Sequence, residues 1–386
     1  MKYAPGMDKA YFPLTVATGH SFCNRENIRA QLLSNIGQVQ PTLLSAPRRY
    51  GKTSLVEQVL QYDIPRSPLK NHFSHSIELL MAHDLESVQH IILSGIGRLA
   101  GNILPFHKSA MIKLQGYFSA MRPEYTMDIK GPRVALSPKV SLQSITEGLM
   151  RLDQMAQQEG VTVTLAMDEF QQIATIRQHA EIEAAIRAAV QHSTRVSYIF
   201  TGSNRHLLDI MFENASRPFF GQCERITLER ISEDKYRPFI LTAANNRWGK
   251  QIDGDTLDRI LQLTRCHPYY INALCHRLWR HPEPVLAVDV ASEWAYLTHQ
   301  ESDNISSHVG RLAASQRAVI IALAVAPDAN LTGKKFLQRA RLAASSCAQA
   351  AKALKSADII YQQKDGAWAL LDPLMEVVLS DNSTQW

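Results

Sequence analysis

The chain has 386 residues, 45% hydrophobic and 20% charged, with 41 Lys and Arg against 36 Asp and Glu for a net charge of +5. That length holds roughly two or three domains with cores of their own, and the composition belongs to a folded, soluble protein rather than a disordered or fibrous one. No run of about 18 apolar residues offers a membrane span, residues 1–10 lack the apolar core of a secretory signal, and five cysteines without a CxxC pair speak against structural zinc or a disulfide framework, so a cytoplasmic setting is expected.

Up to about residue 230, short apolar runs alternate with longer helical patterns, as in an α/β sheet domain. Strands are predicted at 42–45, 76–80, 161–167, 196–201 and 225–228, with helices at 53–62, 87–99, 144–158 and 182–192 between them. Gly131-Pro132, inside residues 123–139, reads as a hairpin insertion. From Ser232 the pattern is wholly helical, with Ser232 as a cap and Glu233 and Asp234 in the first turn. The polar stretch HQESDNISSHVG, residues 299–310, reads as a break. Helices follow at 313–325, 333–340 and 344–357, then the strands IIYQQ and AWALL around Lys364-Asp365-Gly366, a hairpin signal. Three helices closed by a hairpin form a winged helix-turn-helix. The expected domains are 1–230, 231–305 and 306–386.

The stretch APRRYGKTS, Ala46 to Ser54, follows the first strand and opens a helix. The pattern GxxxxGK[ST] uses backbone N–H groups and the positive end of a helix to hold phosphates. Ala46 replaces its first glycine, which matters only if φ is positive there. Pro47, Arg48, Arg49, Tyr50 and Gly51 complete the loop, Lys52 would reach the β- and γ-phosphates, and Thr53 would hold Mg²⁺.

The run VTVTLAMDEF ends in Asp168 and Glu169. An apolar strand that stops at a carboxylate delivers it to the edge where ligands of open α/β sheets bind. Taken alone, the pair could also be an acidic helix cap. With the loop in the right order it completes a nucleoside triphosphate site, in which Asp168 would hold Mg²⁺ and Glu169 would orient or deprotonate the attacking water. The run VSYIFTGSN ends in Thr201, Gly202, Ser203 and Asn204. Beside the Asp-Glu strand, Ser203 or Asn204 could sense the γ-phosphate, or the four residues could be an ordinary turn.

In the order FCNRENIRAQL, APRRYGKTSL, LAMDEFQQI, YIFTGSNRHLL, RPFFGQCERITL and HPYYINALCHRLW, the chain resembles the archaeal-type P-loop ATPases, related to the AAA+ and STAND NTPases and also found in bacteria. The resemblance covers almost the whole chain. It implies an ASCE-like parallel sheet core, a helical lid from Ser232 and a C-terminal winged helix. It implies ATP and Mg²⁺ as cofactors, Arg25 and Glu26 near the adenine end, Lys52 and Thr53 as the phosphate and metal site, Asp168 and Glu169 as the Walker B pair, and Ser203 and Asn204 as the first sensor. Pro268 matches the proline of the family's Gly-x-Pro turn, where Cys266 replaces the glycine. Cys23 likewise stands where a glycine usually precedes the arginine. Arg217 and Arg225 are the family's positions for an arginine at the γ-phosphate, with Arg48, Arg49 and Arg265 as competitors and a surface role open for each.

Lys334, Lys335, Arg339, Arg341, Lys352 and Lys355 lie in a stretch without an acidic residue. This excess suits phosphates or a solvated face. The recognition helix would run 344–357 and offer Ser345, Ser346, Gln349 and Lys352, for DNA or for a protein partner. The histidines His20, His72, His75, His83 and His107 read as surface or core residues. The expected function is an ATP-hydrolysing molecular switch of the AAA+/STAND type coupled to the winged helix. The alternative is an ATP-regulated scaffold or DNA-binding regulator with little turnover. An oligomer is compatible with either.

Overall fold

The computed structural model describes residues 10–104, 108–128, 131–363 and 365–381. They fall into two compact units, Val16–Glu229 and Arg230–Trp386 with the described part of Met1–Thr15. The first unit thus starts at Val16 rather than at the beginning of the chain.

In the first unit, α1 (Glu26–Gly37) precedes β1 (Thr42–Ser45), the phosphate-loop candidate and α2 (Lys52–Gln58). Then come β2 (His72–Glu78), α3 (Leu85–Ile103), α4 (Lys108–Phe118), the hairpin β3 (Glu124–Asp128) and β4 (Gly131–Ala135), and α5 (Leu142–Gln158). β5 (Thr162–Asp168), α6 (His179–Val190), β6 (Val196–Gly202), α7 (Arg205–Glu213) and β7 (Glu224–Thr227) complete it. Five strands form one parallel sheet in the order β2-β5-β6-β1-β7. β6 therefore separates the strand before the phosphate loop from the strand that ends in Asp168, and all three deliver their C-terminal ends to one edge.

Side chains alternate across the sheet with a period of two. Val163, Leu165 and Met167 of β5 and Val196, Tyr198 and Phe200 of β6 enter one large apolar cluster with α3, α5 and α6. The alternate residues Thr164 and Ser197 are also buried, and their hydroxyls pair at 3.3 Å.

The sequence places all five strands of this sheet, within a few residues at their ends. The predicted helix 53–62 differs more: it is α-helical only to Gln58 and continues as a π-turn, Val59–Asp63. The inserted hairpin is present, but Gly131 and Pro132 belong to its second strand rather than its turn, and the turn lies outside the described residues.

The second unit begins with α8 (Glu233–Trp248), α9 (Gly254–Thr264), α10 (Pro268–Leu278) and α11 (Ala287–Gly310). Ser232 sits at the N-terminus of α8, but its side chain makes no capping hydrogen bond; its carbonyl accepts from Lys235 and Tyr236 instead. Residues 299–310 are not a break: α11 runs through them to Gly310. Val290, Trp294, Ile305 and Val309 are its buried residues, so a sparse apolar stripe sustains the helix where composition alone suggests a linker. The boundary expected at 305 falls inside this helix. The segment at residues 10–15 belongs to this unit, with Phe12 almost fully buried and edge-on to Trp279 at 4.6 Å between ring centroids.

α12 (Ala314–Val325), α13 (Lys334–Ala340) and α14 (Ala344–Ser356) follow, then β8 (Ile360–Gln362) paired antiparallel with β9 (Trp368–Leu370). Lys364 and His107 lie outside the described residues. A last helix, α15 (Pro373–Asp381), was not expected from the sequence; Leu374, Met375, Val378 and Leu379 are buried from it. Helix-helix-helix-hairpin is the winged-helix arrangement.

Candidate nucleotide site

β1 is buried along its whole length. Ala46 and Tyr50 are buried in the loop that follows, while Arg48 and Arg49 are exposed. Ala46 keeps a negative φ, so the missing glycine introduces no left-handed strain; the positive φ values fall at Arg49 (64°) and Gly51 (83°). Gly51 is the turn into α2, a conformation that an L side chain rarely adopts. Lys52 is 5% exposed, and its Nζ donates to the carbonyls of Ala46 (3.2 Å) and Pro47 (3.3 Å) inside the loop. Ser54 Oγ accepts from the backbone N–H of Ala17 at 3.0 Å, which ties the start of the unit to α2.

Arg25 does something the motif does not reveal. It is 8% exposed, and its Nη2 donates to the carbonyls of Tyr50 (3.1 Å) and Glu229 (3.0 Å). It thus braces the phosphate loop from behind, at the N-terminus of α1, whose first turn contains Glu26.

The loop and the Asp-Glu strand meet directly. Thr53 Oγ1 donates to Asp168 Oδ2 at 2.8 Å. Asp168 Oδ1 accepts from the Thr201 hydroxyl and, at 2.9 Å, from the Glu169 N–H. Glu169 adopts the left-handed region (φ 53°), between Asp168 on the strand and Phe170 in the core. Phe170 packs against Phe200 (4.5 Å between centroids) and edge-on against Phe219 (5.4 Å), which pins the turn that carries Glu169. Glu169 Oε2 accepts from Ser203 Oγ at 2.8 Å and from the Gln171 amide. In α2 the Glu57 carboxyl is raised above the usual carboxylate range, chiefly by burial and in part by the charge of Asp168.

The structure thus brings together Lys52, Thr53, Asp168, Glu169 and Ser203. In the same unit, Asn204, Arg217 and Arg225 are engaged elsewhere. Asn204 caps α7 through Leu207 N–H (3.1 Å). Arg217 pairs with the buried Glu183 and lies 3.0 Å from His179 Nδ1. Arg225 pairs with Asp209 (2.6 Å) and with Glu213. In the second unit, Arg265 pairs with Glu376 of α15, Cys266 takes a left-handed conformation (φ 53°), and Pro268 is the first residue of α10. Sequence reasoning left Thr201 without a role. Its signal is register: Met167 lies opposite Phe200, so the next pair along β5 and β6 is Asp168 and Thr201.

These residues fit a nucleotide and its metal. The Thr53 hydroxyl and the Asp168 carboxylate are adjacent oxygen donors, the type a hard divalent cation takes. Among the described residues no cluster of three or more His, Cys, Asp or Glu offers a separate metal site. No helix of the described residues is long and apolar enough to cross a membrane.

Comparison with known proteins agrees with this architecture. A family model described as "Probable winged helix domain" matches residues 304–381. The Walker-type ATPase PABY2304 of Pyrococcus abyssi is similar over 96% of this chain and 99% of its own, with 17% identity and a TM-score of 0.68. The ORC2 protein of Aeropyrum pernix, solved in ADPNP–ADP complexes, is similar over 93% of this chain and 92% of its own, with 13% identity and a TM-score of 0.53. No curated protein matches the sequence. The fold is that of a P-loop ATPase with a parallel-sheet core and a C-terminal winged helix. It is the fold of the archaeal Walker-type ATPases that the motifs resemble.

Proposed function

We propose that the chain is an ATP-binding and ATP-hydrolysing molecular switch whose winged helix is the output. The observation that carries this reading is the hydrogen-bonded set Thr53–Asp168–Thr201 with Glu169–Ser203 beside it, at one sheet edge and against the phosphate loop. The names of the similar proteins, a Walker-type ATPase and an ORC2 solved with ADPNP and ADP, support ATP as the nucleotide.

In this mechanism the loop backbone and Lys52 bind the β- and γ-phosphates. Thr53 and Asp168 would hold Mg²⁺, which would supply charge neutralisation at the phosphate oxygens. Glu169 accepts a proton from the attacking water, and Ser203, bonded to the same carboxylate, reports whether the γ-phosphate is present. Asp168 is held by three donors and so keeps its orientation through the cycle.

For the output, Lys334, Lys335, Arg341, Lys352 and Lys355 are all exposed and make no ion pair among the described residues. Arg339 differs, being paired with Asp328 at 3.2 Å. Five uncompensated cations on α13, α14 and the turn between them favour contact with DNA phosphates. The exposed face of α14 (Ser345, Ser346, Gln349) carries no arginine or aromatic base reader, so sequence preference should be weak. The same alanine-rich helix could instead dock a protein.

Nucleotide binding tests the reading. Titration with Mg-ATP should show a single site in the wild type, lost in Lys52→Ala at unchanged thermal stability. A wild-type protein that binds no nucleotide contradicts it.

A further inference from the structure

Glu169 is held by a residue that neither the loop pattern nor the Asp-Glu pattern includes. Gln171 is 7% exposed, and its Nε2 donates to Glu169 Oε2, the oxygen that also accepts from Ser203. Both donors therefore act on one oxygen of the carboxylate and orient the other away from them. Gln171 is itself locked. Phe170, just before it, is fully buried among Phe200, Phe212 and Phe219, so the turn Phe170–Thr175 cannot swing without opening the core.

The amide also has a cradle. A Cβ at Gly202 would collide with Gln171 Oε1, so only glycine at the end of β6 leaves room for it. Oε1 is buried and has no hydrogen-bond partner among the described residues. A buried polar atom left unpaired is unfavourable. Its compensation is the position it gives the other end of the amide, against a residue in a left-handed backbone conformation that also needs support from its surroundings.

We infer that Gln171 is the positioning residue for the water-activating carboxylate, and that Gly202 is there to admit its side chain. This rests on the ATPase reading above. Gln171 acts through Glu169: together with Ser203 it fixes which oxygen of the carboxylate faces the water. A hydroxyl that senses the γ-phosphate and an amide anchored in the core then share one acceptor. Movement of Ser203 leaves Glu169 on Gln171 alone and alters its aim without releasing it.

The test uses the full-length protein and Gln171→Met, which keeps the volume and the buried position but removes the donor. The expected result is a fall in kcat of tenfold or more with nucleotide Kd within twofold of wild type. In the Glu169→Gln background the same substitution should have no further effect. Turnover within twofold of wild type, turnover faster than wild type, or a loss that adds to that of Glu169→Gln overturns the inference. If the wild type itself does not hydrolyse ATP, the ATPase reading fails, and the positioning role is read from crystal structures. A Glu169 carboxylate that leaves Ser203 in Gln171→Met then supports it; one that stays in place overturns it. Gly202→Ala should give the same kinetic signature as Gln171→Met, by displacing the amide.

Discussion

The guanidinium of Arg217 is held by the carboxylate of Glu183, a side chain with no solvent exposure, and not by any residue of the Asp168–Glu169 set. Burial raises the Glu183 carboxyl to about 7 against the opposing pull of Arg217. Truncating one partner of a buried pair typically destabilises by about 3–5 kcal/mol. Here the orphaned carboxyl can take up a proton, which limits the loss. Arg217→Ala should therefore be destabilised by roughly 2–3 kcal/mol in chemical denaturation, with turnover per folded molecule little changed. A variant with wild-type stability and no hydrolysis would instead return Arg217 to the role of an arginine at the γ-phosphate.

His72 makes acid stability testable. Its ring nitrogens lie 2.8 and 3.0 Å from the hydroxyls of Thr162 and Thr164, and burial lowers its pKa from 6.5 to about 4. The folded state thus binds fewer protons than the unfolded chain. The stability from neutral His72 is complete above pH 6.5 and is lost as pH falls toward 4. His72→Gln should lose less stability than wild type between those two values, by roughly 2–3 kcal/mol at the acid end. Parallel stability-versus-pH curves for the two proteins would rule this out.

Arg25 ties the loop carbonyl of Tyr50 to the Glu229 carbonyl beyond β7, so its loss should be felt in nucleotide binding rather than in chemistry. Arg25→Met should weaken Mg-ATP binding about tenfold, near 1.4 kcal/mol, as expected for losing charge-assisted hydrogen bonds. Calorimetry would show this, with kcat at saturation almost unchanged. Unchanged affinity would mean that the loop holds its shape without the brace.

The winged helix predicts a salt effect. Duplex DNA should bind at low salt and be released steeply as salt rises, and Lys352→Glu with Lys355→Glu should weaken binding and flatten that slope. Fluorescence anisotropy over a salt series measures both. No binding at low salt would favour a protein as the winged helix's partner.

Much of this was legible in the sequence where apolar runs end at chemistry. β1 is legible at residues 42–45 because the apolar run Thr42–Leu44 stops at the loop, and β5 because a β-branched run ends at Asp168. Hydrogen bonds that join distant segments were not legible. Arg25 reaching Tyr50 and Glu229, and Thr201 reaching Asp168, depend on strand order and loop path, which no local pattern encodes. Position along the chain does not tell which carboxylate an arginine meets, and here Arg217 meets Glu183. Residues 299–310 misled in the opposite way: Ile305 and Val309 suffice to bury one face of α11, and a polar composition hides so thin a stripe. Cys266 takes a left-handed backbone conformation without being glycine, a feature that composition does not reveal.

The most direct measurement is Mg²⁺-dependent ATP hydrolysis by the wild type and by Glu169→Gln, each with and without duplex DNA. The account predicts turnover in the wild type, a loss of at least a hundredfold in Glu169→Gln with nucleotide binding retained, and a higher wild-type rate with DNA. Equal rates in the two proteins would contradict the role given to Glu169, and with it the reading of this sheet edge as a hydrolytic site.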